Sequence, residues 1–244
     1  AKCLHNSKDF TAIRLDSTLM PGVFTGVADR VDVCKLGEKF YYRVADYKTG
    51  STHMFDMTAI LYGCSLQLLI YEAALRKRGL PGLEQMEASG VLYVPAKIPM
   101  VAAQTKLPED KVLAERDKML TRRGMLLNDA EVISAMEHTD GSYKYLPVRQ
   151  TADGILSGDV CSSSQLQDLD SFAMKKLADM VDDIAGGEVK ANPISRGPNR
   201  TTCKYCPMRF ACHKDACGVS YRYKAQVTAE EFWSKIKKAV AVGE

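Results

Sequence analysis

Apolar and polar residues alternate along Val23 to Cys34 and again along Phe40 to Lys48, a period of two that predicts two β-strands. Between them Lys35-Leu36-Gly37-Glu38-Lys39 reads as a hairpin turn. Past Asp46-Tyr47-Lys48-Thr49-Gly50 the period changes. Leu61, Cys64, Leu68, Tyr71 and Leu75 recur at helical spacing, which predicts one helix from about Thr58 to Arg78, stopped by Gly79 and Pro81. A short buried strand is expected over Gly90 to Ala96, with helices over about Glu109 to Arg123 and Asp129 to Glu137. A strand pair around Lys144 to Arg149 and Ile155 to Ser157 brackets the turn Thr151-Ala152-Asp153-Gly154. A long helix from about Ser164 to Ala185 carries Leu166, Leu169, Phe172, Leu177, Val181 and Ile184, opened by serine and closed by Gly186-Gly187. From Pro193 to Tyr223 the chain is loop punctuated by Pro, Gly and Cys. A last amphipathic helix contains Glu230, Phe232, Trp233, Ile236 and Val240.

The hairpin gathers the chemistry. Strand alternation puts Val23, Thr25, Val27, Asp29, Val31 and Val33 on one face of the first strand, and Tyr42, Val44, Asp46 and Lys48 on one face of the second. Closing the turn at Gly37-Glu38 pairs Asp29 with Asp46 and Val31 with Val44, and puts Asp32 opposite Arg43 on the other face as an exposed ion pair. Asp29 is thereby expected among valines on the core side. Two opposed carboxylates do not both stay ionised cheaply without a cation between them, and a hard ion such as Mg²⁺ is the natural occupant. Lys48 would then orient or deprotonate an attacking water. A surface hairpin with ordinary ion pairs explains the same residues, since Asp-x-Lys is common.

Charge adds little. Lys and Arg exceed Asp and Glu by three, too weak a balance to argue for nucleic acid. No apolar run approaches a membrane span. The start Ala1-Lys2-Cys3-Leu4-His5 is neither an initiator Met nor a signal peptide and reads as a piece cut from a larger protein. Of eight cysteines, Cys203, Cys206, Cys212 and Cys217 crowd together, and Cys3, Cys34, Cys64 and Cys161 are scattered. Clustering without a secretion signal points to a cytoplasmic protein with a metal or cluster site rather than disulfides. Thiolates suit zinc and iron–sulfur alike. Cys34, Cys64 and Cys161 read as small core residues, and His53, His138 and His213 as surface residues.

Gly26-Val27-Ala28-Asp29-Arg30-Val31-Asp32, Asp46-Tyr47-Lys48-Thr49-Gly50 and Gln67-x-x-x-Tyr71 resemble the PD-(D/E)XK nuclease superfamily, most closely its RecB-type branch. Tyr62-Gly63 through Leu69, Gly90-Val91-Leu92-Tyr93, Ala135-Met136, Leu146-Pro147-Val148, Cys203-Lys204-Tyr205-Cys206-Pro207 through Cys212, and Gly218-x-x-Tyr221-Arg222 are similar to the nuclease domains of AddB-type helicase–nuclease subunits. The resemblance covers roughly residues 20 to 240. It implies a restriction-endonuclease-like α/β/α core with a mixed central sheet, followed by a Cys-rich C-terminal loop region. It also implies that Asp29, Asp46 and the Tyr47 backbone carbonyl bind Mg²⁺ (or Mn²⁺), that Lys48 is catalytic, and that Gln67 and Tyr71, a helical turn apart, contact DNA or the metal water. Asp32 falls to a structural role.

The resemblance further implies that Cys203, Cys206 and Cys212 ligate a 4Fe–4S cluster. In the family the fourth cysteine lies far upstream, as does a segment with an additional acidic or His metal ligand, and the stretch before Asp29 is too short to contain either. Cys217 or Cys3 could substitute; a local zinc site of Cys203, Cys206, Cys212 and Cys217 is one alternative, and free thiols with no metal are another. The domains expected are an N-terminally truncated nuclease core over 1–190, a cluster-binding segment over 191–226 and a C-terminal helix over 227–244. The function implied is a metal-dependent exonuclease acting on single-stranded DNA ends beside an AddA-type helicase/nuclease partner in double-strand break repair and recombination. A non-catalytic DNA-binding or scaffold domain is the alternative. No Gly-x4-Gly-Lys-Ser/Thr loop is present, so ATP use falls to other parts of such a complex.

Overall fold

The hairpin forms in the expected register. In the computed structural model, which describes residues 2–4, 12–50, 55–79, 85–98, 100–102, 108–139, 142–195, 197, 201–214 and 216–241, Val31 pairs with Val44, Asp32 with Arg43 and Leu36 with Lys39. The turn residue Gly37 takes φ +57°, a conformation that costs glycine nothing. In chain order the strands are β1 (Lys2–Leu4), β2 (Ile13–Leu15), β3 (Gly22–Phe24), β4 (Arg30–Leu36), β5 (Lys39–Lys48), β6 (Met86–Pro95), β7 (Arg123–Leu127), β8 (Val148–Gln150), β9 (Leu156–Gly158), β10 (Val160–Cys161), β11 (Ile194–Ser195) and β12 (Arg222–Tyr223). The helices are α1 (Met57–Leu61), α2 (Gln67–Arg78), α3 (Glu109–Met119), α4 (Ala130–Met136), α5 (Ser163–Ala185) and α6 (Ala229–Ala241).

Six strands form one mixed sheet in the order β1-β4-β5-β6-β7-β10. β4 and β5 are antiparallel, β5 and β6 parallel, β6 and β7 antiparallel, and β7 and β10 parallel. One face is covered by α2, whose Leu68, Leu69 and Leu75 are buried, as are Tyr42 and Val44 on β5. Side chains buried this fully each contribute on the order of 1.5–3 kcal/mol. Against the other face lies α4, where Val132, Ala135 and Met136 share a cavity of about 60 Å³ with Asp32, Tyr41 and Arg43. Asp129 caps α4 by accepting from the amides of Glu131 and Val132. The core is thus the α/β/α sandwich expected.

The chain divides into two units, one of residues 1–13, 23–55 and 66–174, the other of residues 14–22, 56–65 and 175–244. The sheet and α2 belong to the first. In the second, Asp182 accepts from the Thr18 and Leu19 amides and the Thr18 hydroxyl. Phe232 and Ile236 of α6 are buried there, and Lys224 pairs with Asp56. Residues 201–221 carry turns and one 3₁₀ turn at Thr202–Tyr205.

Several elements differ from the sequence reading. The first strand does not run unbroken from Val23, because residues 25–29 are irregular between β3 and β4; Val23 and Val27 are exposed and do not form a core face with Val31. The helix expected over Thr58 to Arg78 is two helices. Gly63 (φ +77°) and Ser65 (φ +58°) are left-handed, which a right-handed helix cannot carry through. This break makes Gln67 the first residue of α2. Gly79 ends α2 with φ +68°, and Pro81 lies outside the described residues. The third helix stops at Met119 and the strand expected at Gly90 begins at Met86. α5 matches closely, with Ser162 and Gln165 capping each other's amides, although Ile184 is exposed.

Candidate active site

The end of β5 brings an acid and an amine onto the sheet face covered by α2. Asp46 and Lys48 are two residues apart on one strand and therefore point the same way. Asp46 is 2% exposed, and its Oδ2 is in ion contact with Lys48 Nζ. That contact is not an aligned hydrogen bond, and among the described residues the buried Oδ2 accepts none. Lys48 Nζ donates instead to Gln67 Oε1 at 2.9 Å. Gln67 Nε2 donates in turn to the Tyr71 hydroxyl at 3.4 Å, the four-residue spacing putting both side chains on one side of α2.

Asp29 arrives by a different route from the one its alternation suggested. It precedes β4, is exposed, and its Oδ2 accepts from the Tyr47 amide at 2.9 Å. The carboxylate is thus tied to the backbone of β5 one residue past Asp46 rather than lodged among valines. Gly26, three residues earlier, shows why this segment begins with glycine. A Cβ there would stand 2.9 Å from both Phe24 Cζ and Tyr71 Cε1. Phe24 and Tyr71 pack with ring centroids 6.3 Å apart, so the segment leading to Asp29 lies directly on the Gln67–Tyr71 side of α2. Tyr71 is buried, a packing residue as well as a partner of Gln67.

Two neighbours escaped the sequence reading. Tyr93 on β6 lies beside Asp46 in the parallel register, and Lys48 Nζ stands 5.3 Å from its ring centroid. Burial, with the Asp46 charge adding to it, pushes the Tyr93 phenol up to about 12. The motif around Tyr93 was visible, but not that β6 is the strand next to β5. Glu72 on α2 is the second. It accepts from the Tyr42 hydroxyl and from Arg76, and Arg76 also holds Asp170. Burial raises the Glu72 carboxyl to about 7 despite Arg76 and Tyr42. The network fastens α2, and so Gln67, to β5.

Asp32 was expected in an exposed ion pair and is instead 7% exposed, because α4 covers that face. Arg30 donates to its Oδ1 at 2.7 Å and Arg43 to its Oδ2 at 2.8 Å. Its role is structural, as its strand face implied.

A divalent ion suits the Asp29–Asp46 end. The buried Asp46 Oδ2 has no hydrogen bond among the described residues to lose, and Asp29 is tied to the next backbone amide of β5. Mg²⁺ takes one or two carboxylates and keeps several waters, so two acids are enough. Among the described residues no three of His, Cys, Asp and Glu gather where they could hold a metal. Cys203 is half-buried, and Cys206, Cys212 and Cys217 are exposed. Cys3 belongs to β1, and its side chain lies outside the described residues. Cys161 is buried as expected, whereas Cys34 and Cys64 are only half-buried. His138 and His213 are exposed, and His53 lies outside the described residues. Among the described residues no helix is long and apolar enough to cross a membrane.

Comparison with known proteins agrees with this geometry. The chain is similar to proteins named as the B-type subunit of an ATP-dependent helicase/deoxyribonuclease. That of Clostridium novyi (strain NT) is 32% identical over 218 residues, covering 87% of this chain and 19% of the relative. The relative from Moorella thermoacetica is 33% identical over 215 residues (85% and 18%), and that from Thermoanaerobacter sp. (strain X514) 28% identical over 220 (88% and 19%). The chain therefore spans about a fifth of the length of the curated relatives it matches. The PD-(D/E)XK nuclease superfamily model matches residues 2–213, a stretch that holds the sheet, α2 and the whole Asp29–Asp46–Lys48–Gln67 arrangement. By that match the chain belongs to the PD-(D/E)XK nuclease superfamily.

Proposed function

We propose that the chain is a Mg²⁺-dependent deoxyribonuclease domain that hydrolyses phosphodiester bonds at single-stranded DNA ends. It would work as part of a helicase–nuclease in double-strand break repair, with an AddA-type protein as partner; the printed names of its relatives support that setting. The observation that carries the reading is Asp46, buried beside Lys48 with an oxygen that accepts no hydrogen bond. The Lys48 ammonium meets the charge of this carboxylate, and the oxygen without a hydrogen bond is an acceptor that a cation would use.

Asp29, Asp46 and the Tyr47 backbone carbonyl would hold Mg²⁺ or Mn²⁺. Such an ion supplies Lewis-acid polarisation of a phosphoryl oxygen and a more acidic water as nucleophile. Lys48 Nζ, steadied by Gln67 Oε1, orients that water and offsets the charge that grows on the phosphoryl oxygens as the water oxygen bonds to phosphorus and the P–O ester bond breaks. Tyr71 holds the Gln67 amide in place. No step uses the cysteines.

The test is cleavage of end-labelled single-stranded DNA with Mg²⁺ by wild type, Asp46→Ala and Lys48→Ala. Both variants should lose activity by about 10³-fold or more, the scale of losing an electrostatic group or metal ligand at the reacting centre. Equal activity in all three overturns the assignment. Tight, steeply salt-dependent DNA binding with no cleavage by wild type would make this a DNA-binding scaffold domain instead.

A further inference from the structure

Among the described residues the Lys48 ammonium meets groups on three elements: Asp46 on its own strand, Gln67 Oε1 on α2 and the ring of Tyr93 on β6. They do not serve alike once a cation arrives. Asp46 would hold the cation, and the Lys48 ammonium would then lose that carboxylate as its partner. What remains to hold Nζ is Gln67 Oε1 and the negative face of an aromatic ring. Lysine sits on a flexible four-carbon stem and does not hold a position unaided.

Resting on the nuclease reading, we infer that Tyr93 is a positioning residue: its ring seats the Lys48 ammonium beside Asp46, so that Lys48 keeps its place when a metal claims the carboxylate. The ring is itself fixed. Tyr93 is 6% exposed, and β6 pairs in parallel with β5 from Asp46↔Tyr93 through Lys48↔Pro95. The Lys48 carbonyl accepts from the Ala96 amide at 2.9 Å, which continues the pairing past the site.

The experiment compares Tyr93→Phe, which keeps the ring, with Tyr93→Leu, which removes it, in the 244-residue chain. Should Leu prevent folding, Tyr93→Met takes its place, being flexible and ringless. The first readout needs no activity. The ε-methylene NMR resonance of Lys48, identified by its loss in Lys48→Arg, is shifted upfield by the ring in wild type and Tyr93→Phe and returns to the ordinary lysine position in Tyr93→Leu. The second is steady-state cleavage of single-stranded DNA with Mg²⁺. Tyr93→Leu lowers kcat about tenfold with KM within about twofold of wild type, and Tyr93→Phe recovers most of kcat. An unshifted Lys48 resonance in wild type, or Tyr93→Leu with wild-type kcat, overturns the inference. Tyr93→Phe as impaired as Tyr93→Leu does so too, by moving the effect to the hydroxyl. If wild type itself does not cleave DNA, the nuclease reading fails, and the resonance alone decides whether Tyr93 seats Lys48.

Discussion

The hairpin of β4 and β5 carries a buried aspartate on each face, and the two are treated in opposite ways. Asp32 has a guanidinium on each oxygen, from Arg30 and from Arg43. Asp46 is still more buried, yet it has one ammonium at its side and an oxygen with no hydrogen bond, and a second acid, Asp29, is tied to the adjoining backbone. Formal charge follows the same division. Two arginines flank Asp32, and one lysine flanks Asp46. Asp32 has both oxygens met by guanidinium groups of the fold. Asp46, on the proposed reading, keeps an oxygen that a cation would take.

Replacing Asp46 gives the largest effect. Asp46→Asn keeps the shape and removes the charge, so Mg²⁺-dependent cleavage should fall about 10³-fold or more. Thermal stability without metal should hold or rise, because a poorly satisfied buried charge is gone. Mg²⁺ should raise the Tm of wild type by mass action and leave that of Asp46→Asn unmoved. A variant that still cleaves, or still gains stability from Mg²⁺, erases the difference between the two faces.

Asp32→Asn should do the reverse. It leaves Arg30 and Arg43 facing a neutral group under α4, and breaking a buried pair from one side costs on the order of 3–5 kcal/mol. Urea denaturation should show that loss, while cleavage per folded molecule in Mg²⁺ stays near wild type. Lost cleavage with intact stability would exchange the roles of the two aspartates.

The two faces were not equally legible in the sequence. Alternation and the Gly37-Glu38 turn suffice for the register, because a strand has a period of two and a tight turn fixes the pairing. Asp46, Lys48, Gln67 and Tyr71 follow from it and from the helical period. Asp29 is reached by the same residues but different geometry, since its segment leaves the ladder and binds a backbone amide. What alternation cannot tell is which element covers a face. The burial of Asp32 depends on α4, nearly a hundred residues later, and the place of Tyr93 depends on a parallel pairing with no turn to announce it. The break at Gly63 and Ser65 was hidden by an apolar period that continues across both helices. The cysteines show the same limit. Close spacing between 203 and 217 brings four cysteines together in the chain, but spacing alone does not say which of them share a ligand.

Glu72 gives a smaller, pH-dependent test of how firmly α2 holds the functional face. Its carboxyl is raised from 4.5 to about 7 by burial, with Tyr42 and Arg76 at its oxygens and Asp170 on the far side of Arg76. The folded state therefore keeps a proton that the unfolded chain releases between pH 4.5 and 7. Its contribution is full below about pH 4.5 and is lost as pH rises through about 7. At 1.36 kcal/mol per unit the loss is on the order of 3 kcal/mol. Glu72→Gln cannot ionise, so the stability difference between wild type and variant should change across that window in urea melts. Parallel curves would mean that Arg76 keeps Glu72 ionised throughout.

Gln67 is the finest test of the contrast, because it holds the ammonium that stands at Asp46. It lies in the first turn of α2 and is exposed, so Gln67→Ala should leave stability within about 0.5 kcal/mol of wild type. It removes one charge-assisted hydrogen bond to Lys48, and kcat should fall about tenfold. Gln67→Glu goes the other way in charge. A third carboxylate at this end should lower the Mg²⁺ concentration needed for half-maximal cleavage, while pinning the Lys48 ammonium and keeping kcat well below wild type. If the Glu variant instead needs more Mg²⁺ than wild type, carboxylate charge around Asp46 is not what draws the cation, and the contrast with Asp32 reduces to burial alone.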